Sequence, residues 1–399
     1  HNPSLDSALA RMKEARANSW LEFAGLVPGG TANAEVKRSR SIVGFDSTGP
    51  ITGVSKFKDR SLDAQWEIDL FGGQRRAFEA ARRRAFAAES QWHDARTTLA
   101  AEVANTYTGL RACEARLQLQ QSAAVSREGT ADLVGRKASA GLASSAEAAQ
   151  AAAAAADNRA AVRSVDAACR RASNALVYLT GLEPQALAAK LAPGHGTAPV
   201  PVPTSVSVLP AVLVRQRPDV AAAEAEWAAA VADYGFGIGE LLPSVNLVGS
   251  LGRSNTSVFG ESFSVDHWRF GPNITMPALS FGKAAAGLRV LSTRIDAARG
   301  RYENQVRVAI REVEDALVTL DAATARDADA ARAAAGWSTA LQAMEARHRA
   351  GLASTLELEE VRRLQLQAAD ARIALAQERT TAWVALYKAL GGGWSATKE

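Results

Sequence analysis

The chain has 399 residues, 47% of them hydrophobic, 22% charged and 6% aromatic, with a formal net charge of +4. This composition excludes disorder over most of the length and a core built on large rings. The balance of 46 Lys and Arg against 42 Asp and Glu is too even to argue for nucleic acid. Alanine, about a fifth of the residues, calls for long helices packed closely together.

No run of about 18 apolar residues exists, so no transmembrane helix is expected. From His1 onward there is no charged and apolar leader, so any secretory signal is expected to lie outside this sequence. Length suggests two or three domains. An internal repeat organises them. Pro3 and Pro28 recur as Pro218 and Pro243 at an offset of 215 residues. From Phe71-Gly72 and Phe281-Gly282 onward the offset is 210, and Ala140-Gly-Leu-Ala-Ser-Ser-Ala-Glu147 recurs as Ala350-Gly-Leu-Ala-Ser-Thr-Leu-Glu357. The chain therefore reads as a first repeat over 1–182, a linker over 183–216 and a second repeat over 217–394. The linker holds PGHGTAPVPVPTSVSVLP, whose prolines argue against a regular helix.

Each repeat opens with a helix that ends near Pro28 or Pro243. Period-two alternation comes next, over about 30–70 and 244–280. Ala32, Ala34 and Val36 interleave with Asn33, Glu35 and Lys37, and Trp66, Ile68 and Leu70 with Gln65, Glu67 and Asp69. Val245, Leu247 and Leu251 share one parity, and Trp268, Phe270, Ile274 and Met276 another. Strict alternation means half-buried strands, two per repeat, joined by the polar or Gly-rich stretches Ser47–Lys56 and Asn255–Ser264. One apolar and one polar face per strand fits a membrane barrel with a wet lumen, or a small soluble sheet packed on helices.

After Gly72 and Gly282 the period lengthens. Leu99, Val103, Leu110 and Leu117, and again Val306, Ile310, Val313, Leu317 and Leu320, form heptad seams. They predict helical hairpins over about 72–180 and 282–390. The Ala146–Ala156 tract puts small side chains on every helical face, which permits close approach.

Cys113 and Cys169 are too few for a disulfide scaffold or a cysteine zinc ribbon. Each lies 28 residues from Gly141, so an antiparallel hairpin sets them at about equal height. Either they bond, if their Cα atoms come within about 7 Å, or they are two buried thiols. Gly235-Phe-Gly-Ile-Gly239 resembles a dinucleotide loop only superficially, because a helix rather than a strand precedes it. His1, His93, His195, His267 and His348 have no metal-ligand spacing. Arg75, Arg76, Arg82, Arg83 and Arg84 read as a solvated or phosphate-near helix face. No catalytic constellation, metal set or cofactor motif is present, so an enzyme is not expected.

A duplicated helix, strand pair and long helical hairpin resemble the TolC-type outer membrane factor family. The residues that carry the resemblance are Pro210 with Arg217-Pro-Asp-Val220 and Ala223-Glu224, Trp66-Glu-Ile-Asp-Leu-Phe-Gly72, and the Gly-Leu-x-Ser segments at Gly141 and Gly351. They are most similar to the multidrug-efflux branch, whose mature chains begin some tens of residues earlier, often at a lipidated Cys. The resemblance implies a mainly α fold with a membrane β portion: a homotrimer whose three sets of four strands close a 12-stranded barrel in outer-membrane lipid, continuous with a periplasmic helical barrel. It implies a passive exit duct for small molecules such as drugs in a Gram-negative outer membrane. The partners would be a periplasmic adaptor and an inner-membrane pump or ABC transporter, and no nucleic acid. Type I secretion of a protein toxin is the alternative cargo, and a non-transporting coiled-coil scaffold the alternative class.

The resemblance also implies site residues. Glu357 and Glu360 match acidic positions that ring the periplasmic entrance, with Glu147 and His348 beside them. Ala353 stands where some relatives carry Arg, so Glu147 is expected to lack an Arg partner, and the closed state is expected to rest more on packing than on ion pairs. Gly141, Leu142, Ser144, Gly351, Leu352 and Ser354 form tips that would meet the adaptor. Trp66 and Trp268 are expected near the barrel surface or its aromatic girdle.

Overall fold

The structure, a computed structural model, describes residues 2–197, 199–200, 216–258, 261–277 and 281–394. The order of elements is α1 (Pro3–Ala24), β1 (Gly29–Asp46), β2 (Gly49–Ile68), α2 (Gly73–Ser139), α3 (Ser145–Thr180), α4 (Pro184–Leu191), α5 (Pro218–Gly239), β3 (Ser244–Val258), β4 (Glu261–Thr275), α6 (Phe281–Arg349) and α7 (Thr355–Ala389). From α5 on, the second half repeats the order of α1 to α3. Contacts divide the chain differently from the repeats. One unit comprises His1–Ala8, Gln91–Val220 and Gln305–Glu399; the other comprises Leu9–Ser90 and Ala221–Asn304.

Two expectations need correction. The linker is not free of helix, because Pro184 sits in the first turn of α4, where its missing N–H has no intrahelical partner to lose. Pro210 and the rest of residues 201–215 lie outside the described residues. The polar stretches between strands are mostly strand themselves: Lys56 belongs to β2, Asn255 to β3 and Ser264 to β4. A polar alternation on an exposed sheet carries no apolar signal, which is why the sequence read it as connection.

In the second unit the four strands form one antiparallel sheet, in the order β1-β2-β3-β4. β1 pairs β2 from Gly29↔Gln65 to Asp46↔Gly49, with an irregularity between Ile42 and Gly44. β2 pairs β3 from Ser55↔Val258 to Ile68↔Val245, and β3 pairs β4 from Ser244↔Thr275 to Val258↔Glu261. The sheet is open: among the described residues the outer edges of β1 and β4 have no strand partner. Within this unit Ala87, Ala222 and Ala225 pack α2 on α5. The arginines at the start of α2 are solvated, and three of them are paired: Arg75 with Asp69, Arg76 with Glu79, and Arg84 with Asp233 of α5.

In the first unit the heptad seam of α2 meets α3 and α4. Leu110 and Cys113 cluster with Cys169, Leu176 and Leu187, flanked by Val103, Leu117 and Leu191. The seam of α6 does the same on α7, through Val313, Ala316, Leu386 and Ala389. The alanine tract of α3 buries one stripe, Ala151 and Ala155, while Ala152, Ala153 and Ala156 stay exposed. Cys113 and Cys169 form a disulfide, with Cα atoms 5.5 Å apart.

Candidate functional site

Register sorts the strands into two chemical faces. Even positions of β2 lie opposite even positions of β1 and odd positions of β3, which lie opposite even positions of β4. One face therefore gathers Ala34 and Val36, Leu62 and Trp66, Val245, Leu247 and Leu251, and Trp268, Phe270 and Ile274. Most of it is open to solvent in the single chain: Val36, Leu62, Leu251, Trp268, Phe270 and Ile274 are all exposed, Trp268 at 78%. Trp66 is half-buried, its Nε1–H donating to the Leu26 carbonyl at 3.0 Å. The opposite face is mainly polar, with Phe263 and Val265 exposed on it toward the end of the sheet far from the helices. Asn33 donates to Asp63 at 2.6 Å, and Ser61 to Asp63 at 3.0 Å. Ser254 donates to Asp59 at 2.6 Å and lies 3.2 Å from the His267 ring. A bare apolar face backed by a hydrogen-bonded polar face suits lipid on one side and water on the other.

The tips of both helical hairpins are built by the same four residues. Gly141 and Gly351 have φ of 76° and 75°, a conformation that favours glycine. The N–H of Gly141 donates to Ala138 O at 3.0 Å, and that of Leu142 to Lys137 O at 2.7 Å; Gly351 to His348 O at 3.0 Å and Leu352 to Arg347 O at 2.9 Å repeat the pattern. These are the paired bonds of a Schellman ending. Ser144 and Ser354 then cap the following helices, with Glu147 and Glu357 closing reciprocal capping boxes. The Schellman motif ordinarily tucks its apolar residue against the helix. Leu142 and Leu352 instead stand 79% and 71% exposed.

The acidic positions are engaged locally. Glu357 accepts from the N–H of Ser354 at 2.7 Å and from its hydroxyl at 2.8 Å; the backbone bond foremost holds its carboxyl below the usual range. Glu360 binds Arg363 at 2.5 and 3.0 Å, and that hydrogen bond lowers its pKa. Glu147 accepts from the Ser144 N–H at 3.0 Å. His348 staples its tip, Nδ1 lying 3.0 Å from the Ala353 carbonyl. Glu357 and Glu360 thus share the start of α7, and Glu147 lies on the other hairpin.

Sequence reasoning missed two charged clusters in the first unit. Arg362 of α7 donates to Thr130 of α2 at 2.7 Å, to Glu359 at 2.8 Å and to Glu345 of α6 at 3.2 Å, while Arg127 Nε lies 3.2 Å from Glu359. Helix pairing near the second tip is therefore made by buried ion pairs as well as by packing. Arg217 is 4% exposed. It forks onto Asp219 at 2.7 and 3.0 Å, and reaches Glu312 at 2.6 Å and the Ala389 carbonyl at 3.0 Å. The Arg-Pro-Asp segment was visible as a motif; its partners were not.

The family model described as outer membrane efflux protein matches residues 1–182 and 209–392, one match on each repeat. The chain is 31% identical to outer membrane protein OprJ of Pseudomonas aeruginosa over 396 residues, 99% of this chain and 82% of that protein. It is 27% identical to nodulation protein T of Rhizobium leguminosarum bv. viciae over 399 residues, 100% of this chain and 81% of that protein. The solved outer-membrane channel OprN superposes with a TM-score of 0.89 at 30% identity, over 99% of this chain and 88% of that one. The Campylobacter jejuni CmeC outer membrane channel shares the fold, with a TM-score of 0.88 at 21% identity over 100% and 85% of the two chains. The open sheet with one lipid-compatible face, the twinned hairpins and these matches over both repeats converge: the chain belongs to the outer membrane efflux protein family and is a channel protein of the Gram-negative outer membrane.

Proposed function

We propose that three copies join edge to edge, β4 of one beside β1 of the next, into a 12-stranded barrel that serves as the passive exit duct of a tripartite efflux system for small molecules. The observation that supports this most is the open sheet. Among the described residues two unpaired edges flank a face whose large apolar side chains are exposed; an open edge is a liability that barrel closure abolishes, and lipid removes the cost of the apolar face. In this reading the polar face lines the lumen. Glu357 and Glu360 constrict the far entrance, with Glu147 and His348 beside them. The adaptor meets Leu142 and Leu352, presented by Gly141, Ser144, Gly351 and Ser354, and an inner-membrane pump chooses the cargo.

The deciding measurement is light scattering of the detergent-purified protein, together with planar-bilayer conductance. A trimer with a defined single-channel conductance is expected. A monomer, or a trimer without conductance, would overturn the proposal. Drug susceptibility and the secretome of a deletion strain then separate cargoes: sensitisation to small molecules is expected, and loss of one secreted protein without sensitisation would point to type I secretion.

A further inference from the structure

The apolar face of the sheet changes chemistry along its length. All four strands meet helices at one end; the turn at 47–48, the end of β3 at Val258 and the start of β4 at Glu261 mark the other. Toward the helices the face carries Leu62, Trp66, Leu251, Trp268 and Ile274. One step beyond Leu62, toward the reversals, it becomes basic. Arg60 pairs across to Arg253, Lys58 lies opposite Val36 and Asn255, and Lys56 lies opposite Arg38, with Arg40 one step further on. All six cations are exposed. Over 30–40, 54–68, 245–257 and 262–274, Asp266 is the one acid of this face, and Arg253 holds it at 2.5 and 2.8 Å. Arg38, Arg40, Lys56, Lys58 and Arg60 are left with no carboxylate on their face.

Ordinary explanations do not cover this arrangement. Lysines that blunt an edge strand would sit on β1, yet Lys56, Lys58 and Arg60 are on β2, paired on both sides. Lumen-lining cations would take the polar face. Like charges directly opposite one another destabilise a sheet, and here Arg38 stands opposite Lys56 and, two same-face steps along β2, Arg60 stands opposite Arg253, of which only Arg253 has an acid, Asp266, to hold. An external anion would offset that repulsion. Same-face residues step by about 7 Å along a strand, so Arg60 to Lys56 cover about 7–20 Å beyond Leu62. With Leu62 taken as the top of the apolar band and the strands tilted by about 45° as in membrane barrels, that is about 5–14 Å along the bilayer normal, within and just beyond the lipid headgroup layer.

We propose that Arg38, Arg40, Lys56, Lys58 and Arg60 form a phosphate-binding belt for the outer-leaflet glycolipid, clamping the phosphate monoesters of lipid A against the outside of the barrel. Guanidinium groups on β1 and β2 bind phosphate oxygens bidentately, the ammonium groups supply point charge, and the apolar positions below receive the acyl chains. The belt rests on the proposed trimeric barrel.

The test is native mass spectrometry of the detergent-purified protein titrated with bisphosphorylated lipid A, the same lipid dephosphorylated, and phosphatidylglycerol, with bilayer conductance recorded in parallel. Wild-type protein is expected to bind bisphosphorylated lipid A at least tenfold more tightly than the other two, and less tightly as salt rises. The variant Arg38→Gln, Lys56→Gln, Lys58→Gln, Arg60→Gln is expected to lose that preference while conducting normally; Lys37→Gln, on the polar face, is expected to keep it. If the quadruple variant does not assemble, Lys56→Gln with Lys58→Gln is read instead, with a partial loss expected. Equal binding of phosphorylated and dephosphorylated lipid, or a conducting variant that keeps the preference, overturns the belt. Wild-type protein that neither assembles nor conducts overturns the barrel reading, and the belt with it.

Discussion

Replacing Arg217 with Met removes the centre of the buried cluster and leaves its acids behind. In the native chain the guanidinium forks onto Asp219, reaches Glu312 and caps the C-terminal carbonyl of α7 at Ala389, while Gln305 also donates to Asp219 at 2.7 Å. One side chain thus joins the start of α5, the middle of α6 and the end of α7. Glu312 is 41% exposed and can return to water, so it contributes little. Asp219, at 18% exposure, keeps only Gln305 and the Val220 N–H. Breaking a buried pair from one side costs about 3–5 kcal/mol, and the half-exposed second acid argues for the lower end, about 3 kcal/mol. For the 399-residue chain unfolding cooperatively that is a fall in melting temperature of about 3–4 °C, measured by circular dichroism of the detergent-solubilised protein. The double variant Arg217→Met, Asp219→Asn is expected to recover part of the loss, because no orphan carboxylate remains. Burial raises the Asp219 pKa, but the hydrogen bonds and charge of Arg217 more than offset it and hold it low. A depressed carboxyl stabilises the fold above its unfolded pKa and ceases to do so as pH falls through the native value, so the single variant's deficit is expected to shrink on acidification. A Met variant within 1 °C of wild type at neutral pH, or a deficit that grows in acid, would refute this reasoning.

Asp94 should behave oppositely: burial first, and the charge of Asp219 next, raise its pKa, so Asp94→Asn is expected to stabilise the protein at pH 7, with the gain vanishing below the ordinary carboxylate range. A gain that persists in acid would assign it to packing. The Cys113–Cys169 disulfide closes a separation of 56 residues, for which chain entropy gives about 4 kcal/mol. Cys113→Ser with Cys169→Ser is expected to unfold at distinctly lower denaturant, and two free thiols in the unreduced wild-type protein would remove the basis for that. Leu142→Asp with Leu352→Asp is expected to abolish drug export while leaving the trimer intact, and normal export would sink the docking surface. Glu357→Gln is expected to weaken cation block of bilayer conductance more than Glu360→Gln, since Arg363 already neutralises Glu360; Gln can still close the capping box, so unchanged block removes Glu357 from the constriction.

The elements of this fold were legible because each is specified by neighbours in sequence. Alternation around Trp66 and Trp268, heptads through Leu110 and Val313, and Gly-Leu-x-Ser at both tips act over a few residues, and the 210-residue offset supplies each twice. The tip motif in particular is local chemistry: Gly141 and Gly351 turn left-handed, and Ser144 and Ser354 cap α3 and α7. Tertiary structure alone decided which charges meet. Arg217 and Glu312, 95 residues apart, and Arg362 and Thr130, 232 apart, could not be paired from the sequence, because periodicity reports a side chain's direction but not what packs against it. The same holds for the sheet. Lys56 falls in a stretch that the sequence reads as connection, and only the register sets it opposite Arg38 and sets Arg60 opposite Arg253. A charge's environment depends on pairing that the chain makes at long range, and that pairing turns scattered cations into a belt.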